Sequence, residues 1–184
     1  MQFELVRLQH EVGITFIIVT HDQEEALSMA DRIAVMDQGK LLQVASPADL
    51  YERPNCRMVA DFIGKMNFFR ARVIGAEGGR LQVEADGLGE LEIEGDGQGA
   101  ADAEIGVRPE KIELSAAAPE DQCLALPCHV TQRAFFGDKS HLYVETEQGH
   151  RLICQRPHQA DSSFDIGSLH YLVIDPEDYL LLRS

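Results

Sequence analysis

Residues Thr15, Phe16, Ile17, Ile18, Val19 and Thr20 are six consecutive β-branched or aromatic side chains. A run of that composition resists helix and favours extended backbone, because branching at Cβ restricts χ1 in a helical turn. It does not alternate with polar residues, so it reads as a strand buried on both faces, the pattern of a parallel α/β sheet. His21 stands at its carboxyl end, and Asp22, Gln23, Glu24 and Glu25 follow as the start of a helix. Ligands of open α/β sheets bind outside the carboxyl ends of the strands. His21 is therefore the candidate site residue of the chain.

The flanks fit that expectation. Phe3, Leu5, Val6, Leu8 and Val12 recur at helical spacing and Gly13 stops the helix, whose apolar face would cover the sheet. Asp22 is placed as an N-cap with Glu25 as its capping-box partner, for a helix running to about Ala30. Residues 32–37 and 40–45 read as two strands joined at Gln38 and Gly39. Ser46 and Pro47 open a short helix, and a second, over residues 56–63, would bury Met58, Val59, Phe62 and Ile63 before Gly64.

From Asn67 the apolar period changes from 3.6 to 2. Residues 69–74, 79–85, 89–94, 104–108, 112–114, 124–136, 141–146, 150–155, 169–174 and 179–182 read as short strands, with a flexible loop over 95–102. Many short strands with close turns describe a small barrel. The fold class expected is α+β: a remnant of an α/β core over residues 1–66, then an OB-like barrel over residues 67–184, with two similar halves folded together.

Several strings in this order resemble one family. Thr20-His21-Asp22-Gln23-Glu24-Glu25-Ala26, then Ala30-Asp31-Arg32-Ile33-Ala34-Val35-Met36-Asp37-Gln38-Gly39, then Pro47-Ala48-Asp49-Leu50-Tyr51, are similar to the later part of the nucleotide-binding subunit of ABC importers. Val107-Arg108-Pro109-Glu110-Lys111 is similar to the signature of the accessory OB-like domain, TOBE, that such subunits carry. Phe62-Ile63-Gly64-Lys65-Met66-Asn67-Phe68-Phe69 resembles the spermidine/putrescine branch. The resemblance implies that His21 is a switch histidine contacting the γ-phosphate of ATP, with Mg, in an intact parent. A neutral imidazole can hydrogen-bond a phosphate oxygen or an attacking water. It further implies a homodimer, membrane permease partners, and a peripheral place on the cytoplasmic face of the inner membrane.

The phosphate cradle of that family is not in this sequence. No G-x-x-x-x-G-K-[ST], no Leu-Ser-Gly-Gly-Gln string and no acidic-ended strand precede His21. The chain alone is expected to bind no ATP or Mg and to hydrolyse nothing. With part of its sheet missing, it is expected to self-associate through bare apolar edges. A stand-alone OB-like module that binds a small oxyanion or sugar, or a regulatory or dimerisation module, is the alternative.

Charge narrows the partners. The chain is formally −15, divided as ten acids against six bases in residues 1–65 and 21 against ten in residues 66–184. Nucleic acid and anionic lipid are disfavoured, since phosphate binding needs a basic stripe. No run of about 18 apolar residues occurs. Cys123, Cys128 and His129 lie close in sequence, yet no second ligand pair has metal spacing, so buried thiols are expected. Arg108 is read as a strand end fixed by Pro109 and an Arg–carboxylate pair.

Overall fold

The computed structural model describes residues 2–94, 102–118, 124–158 and 164–182. The chain forms two compact units, Met1–Gly64 and Lys65–Ser184.

The first unit contains helices α1 (Gln2–Val12), α2 (Gln23–Met29), α3 (Pro47–Glu52) and α4 (Arg57–Ile63), with strands β1 (Ile33–Asp37) and β2 (Lys40–Ala45). The strands pair antiparallel, with Asp37 opposite Lys40. Gln38 and Gly39 both have positive φ, 45° and 77°, as a two-residue turn matched to strand twist requires. Ser46 caps α3: its hydroxyl accepts from the Asp49 amide at 3.2 Å, and Pro47 occupies the first turn. A small core gathers Ile33, Val35, Leu50, Val59 and Ile63, with Ala26, Leu27 and Leu42 packed on it. In α4 the buried face is Val59, Ala60 and Ile63, while Met58 and Phe62 face outward, so the helix is rotated from the expected face.

Residues 14–20 are not a strand. Ile17 is 91% exposed and Val19 95%. The physical reason is partnership: a strand of a parallel sheet needs a ladder on each side, and among the described residues only β1 and β2 form a sheet in this unit, with each other. A strand-favouring composition without a partner strand buries nothing. For the same reason Leu5, Leu8 and Val12 of α1 remain exposed, having no sheet to cover.

The second unit is mainly β. One five-stranded sheet runs in the order β12 (Leu180–Leu182), β6 (Asp102–Val107), β3 (Asn67–Glu77), β4 (Arg80–Ala85), β5 (Gly89–Glu94). The other runs β10 (Arg151–Pro157), β9 (Lys139–Thr146), β8 (Leu124–Phe135), β11 (Leu169–Ile174), β7 (Ile112–Ser115). Their pairings are antiparallel. Alternation decides which side chains go in: along β4, Leu81, Val83 and Ala85 are buried, while Arg80, Gln82 and Glu84 face water. Both sheets curl onto one apolar core, to which Phe69, Val83 and Ile105 come from the first and Leu142, Leu172 and Ile174 from the second. This is the OB-like barrel expected from the short alternating strands. Most of the loop expected over 95–102 falls outside the described residues.

Side chains approach the backbone closely at Gly106. A Cβ there would collide with Met66 Sδ, so β6 carries its only side-chain-free residue where Met66 crosses it.

Candidate functional site

His21 is exposed and directly follows residues 14–20. Asp22 caps α2 as expected: its φ is −90°, and its carboxylate accepts from the Glu25 amide at 3.1 Å. The Asp22 amide in turn donates to Thr20 Oγ1 at 3.0 Å, which fixes the corner on either side of His21. The imidazole is thus presented to solvent by a capped helix start. Its sequence neighbours Asp22, Glu24 and Glu25 are carboxylates, which repel phosphate at this distance scale. These residues do not by themselves fit ATP with Mg.

The second unit concentrates its polar side chains at two places. At the first, Asn67 is only 6% exposed and acts as a clip between the sheets. Its Oδ1 accepts from the Ile153 amide at 2.8 Å, and its Nδ2 donates to the carbonyls of Ile153 at 2.9 Å and Val107 at 3.3 Å. One amide side chain of β3 thereby satisfies backbone groups of β10. Nearby, the buried Arg108 donates from Nη1 to the Lys65 carbonyl at 3.1 Å, and the Lys111 amide donates to the Arg108 carbonyl at 3.0 Å. The Arg-Pro-Glu string therefore anchors the entry of the chain into the barrel. Lys65 Nζ lies 3.3 Å from His141 Nδ1, and His141 Nε2 lies 3.2 Å from Gln155 Oε1. The Phe136 ring packs on His141 with centroids 4.6 Å apart, and Lys65 Nζ sits 5.5 Å from the Phe136 centroid. Burial holds the His141 imidazole below its usual pKa, and the Lys65 and Lys139 charges push the same way against the Gln155 hydrogen bond.

At the second place, Ser140, Phe164 and His170 are buried, and Arg156 of β10 is part-buried. Arg156 stands over the Phe164 ring, and Phe164 packs on His170 with centroids 4.8 Å apart.

His21 is read from the sequence as a strand-end residue, whereas in the structure it follows a segment that is not a strand. The Asn67 clip and the Ser140–Arg156 pair were not singled out, though each carried a signal. Asn67 falls in step with the inward positions 69 and 71, and Ser140 in step with 142 and 144. A polar residue on the inward phase of an alternating strand has to find a partner inside.

Two of the four cysteines are buried thiols as expected, while Cys56 is part-buried. Cys128 and Cys154 are fully buried, and desolvation pushes Cys128 up to about 11 and Cys154 higher still. His129 points out of the strand whose Cys128 points in. Among the described residues no three metal-ligating side chains converge, and Cys123 lies outside them. No helix is long and apolar enough to cross a membrane, which says nothing of strands.

Residues 105–182 match the family model described as TOBE domain. Over 188 aligned positions the chain is 41% identical to the spermidine/putrescine import ATP-binding protein PotA of Mesorhizobium japonicum, covering 100% of this chain and 50% of that protein. The chain is a TOBE-containing relative of these import ATP-binding proteins. The protein of the same description from Ruegeria pomeroyi is 42% identical over 162 residues, covering 88% of this chain and 43% of its own length. The chain thus spans about half the length of the curated relatives it matches. Among solved structures, the cytoplasmic molybdate-binding protein ModG with molybdate bound is similar in fold. The TM-score is 0.52 at 13% identity, over 64% of this chain and 96% of that one. The TOBE match spans the strands from β6 to β12, and so includes Arg108, Ser140, His141, Arg156 and His170.

Proposed function

We propose that this chain is the later half of the ATP-binding subunit of an ABC importer for polyamines. The observation that carries the reading is the 41% identity that runs through both units to a spermidine/putrescine import ATP-binding protein. In this reading, residues 1–66 close an ATPase domain and residues 67–184 form its accessory barrel. His21 is the switch histidine, a hydrogen-bonding group presented by the capped start of α2 toward nucleotide held by the other half. The chain alone has neither phosphate cradle nor catalytic carboxylate, so it is not catalytic. The parent takes ATP and Mg, works as a homodimer with membrane permease subunits, and sits at the cytoplasmic face of the membrane.

The reading is tested by joining this chain to the first half of the M. japonicum relative at the aligned boundary and measuring ATP hydrolysis and spermidine uptake in cells that carry the permease. The join is expected to restore both, and His21→Ala to lower hydrolysis by about a hundredfold, the scale of a positioned imidazole. A join that hydrolyses ATP equally well with His21→Ala removes the histidine's role. Uptake of an unrelated solute in place of polyamine overturns the substrate.

A further inference from the structure

We propose that the Lys65 side chain is an acid-released latch: it closes over His141 while the imidazole is neutral and opens when the ring takes a proton. His141 is buried on the outward side of its strand. In the β9–β10 register it stands opposite Gln155, so the two share a face. That face is turned away from Leu142 and Cys154, which go into the core. An outward residue is ordinarily wet, yet His141 is only 5% exposed. Two groups cover it. The Phe136 ring packs on the imidazole with centroids 4.6 Å apart. Lys65, the first residue of the second unit, brings Nζ to 3.3 Å from Nδ1 and 5.5 Å from the Phe136 centroid. Lys65 is itself exposed, so the latch has water to open into.

The contacts fix the tautomer. An ammonium has donors only, so the Lys65 contact needs a lone pair on Nδ1. The ring proton then sits on Nε2, which donates to Gln155 Oε1 at 3.2 Å. This closed arrangement belongs to the neutral ring alone. A proton on Nδ1 sets an N–H donor and a second positive charge against the Lys65 ammonium, with no acceptor between them. Burial is the largest influence favouring the neutral ring, and the Gln155 hydrogen bond opposes it. The charges of Lys65 and of Lys139, on β9 itself, add to the effect of burial. Glu110, in the turn 109–111, is the weakest of these influences and the only carboxylate among them. Phe136 brings no charge. Opening leaves the entry of the chain into the barrel intact, because Arg108 Nη1 donates to the Lys65 carbonyl at 3.1 Å whatever the state of His141. Only the side chain swings out. Acid thereby turns a closed neutral contact into three neighbouring cations, Lys65, Lys139 and His141, on a chain that is formally −15.

The latch is tested on the full chain by NMR across the histidine range, about pH 8 to 4.5. The ring nitrogens of His141 and the order parameter of the Lys65 Cε methylene are followed together. At the alkaline end Nδ1 is expected bare and the Lys65 side chain ordered. His141 is expected to titrate below 6.5, its ordinary value, and Lys65 to become mobile at the same midpoint. Linkage makes the two readings one quantity: if protonation weakens closure about tenfold, removing the ammonium in Lys65→Met raises the His141 midpoint by about one unit. In His141→Gln, which keeps a neutral acceptor and takes no proton, the order of Lys65 is expected to stop depending on pH. Arg80→Gln, on the outer face of β4, should move neither reading. A proton on Nδ1 at the alkaline end, an order of Lys65 that is the same at both ends, or a His141 midpoint unmoved in Lys65→Met overturns the latch and leaves His141 covered by Phe136 alone.

Discussion

The two units differ in how each treats its backbone. In the barrel the strands are placed in ladders, and where a ladder runs out a side chain takes over, as Asn67 does against Ile153. In the first unit the most strand-like stretch of the whole sequence, residues 14–20, belongs to no strand and is largely exposed. The same β-branched chemistry is buried at Val83, Ile105 and Ile174 and bare at Ile17 and Val19. Propensity selects a local conformation, and only a neighbour converts it into stability.

The contrast can be broken most sharply at Asn67. Asn67→Leu keeps the volume but strands one amide and two carbonyls at the junction of the sheets. The expected cost is about 3 kcal/mol, read as a lower midpoint for barrel unfolding in urea with no change in slope. A loss below about 0.5 kcal/mol would show that the clip is ornamental. The next effect belongs to the bare segment. We expect the chain to self-associate through residues 14–20, and Ile17→Glu to weaken that association about tenfold by placing like charges across a paired edge. Light scattering over a dilution series measures it, and a monodisperse monomer at all concentrations of the unaltered chain would refute the expectation. The smallest effect concerns pH. His141 is held below its usual pKa in the folded chain, chiefly by burial, so the unfolded chain binds its proton first. The neutral imidazole's contribution is thus fully present above the ordinary histidine pKa and is lost as pH falls from there through the lowered folded value. His141→Gln should flatten stability between pH 7 and 5; an unaltered profile assigns the acid sensitivity elsewhere.

Much of the barrel could be read directly. The alternation in β4 and β5, the apolar run of β11 and the turn at Gln38 and Gly39 each follow from local chemistry. The capped corner beside His21 was equally plain, because Asp22 and Glu25 interact over three residues. What escaped reading is non-local. Lys65 meets His141 across 76 positions, and Asn67 meets Ile153 across 86. No period or spacing encodes such partners; they appear only once β10 is known to lie beside the start of β3. The Ser140–Arg156 pair is hidden for the same reason, since register, rather than either strand alone, sets them face to face. The overestimate at residues 15–20 is the converse case, where the local signal favours a strand and the neighbours that would pair with it are not in the sheet.

The strand order has a consequence for how the chain comes into being. The sheet that starts at Asn67 is finished by Leu180–Leu182, which pairs with β6 only after the whole second sheet has been synthesised. Emerging residues 67–107 therefore wait, with one flank of β6 open, until residues 180–182 have been made. Closure is a late, long-range event, and chains with such distant pairings fold slowly and remain sticky meanwhile. The excess of 21 acids over ten bases in residues 66–184 makes such open chains repel one another.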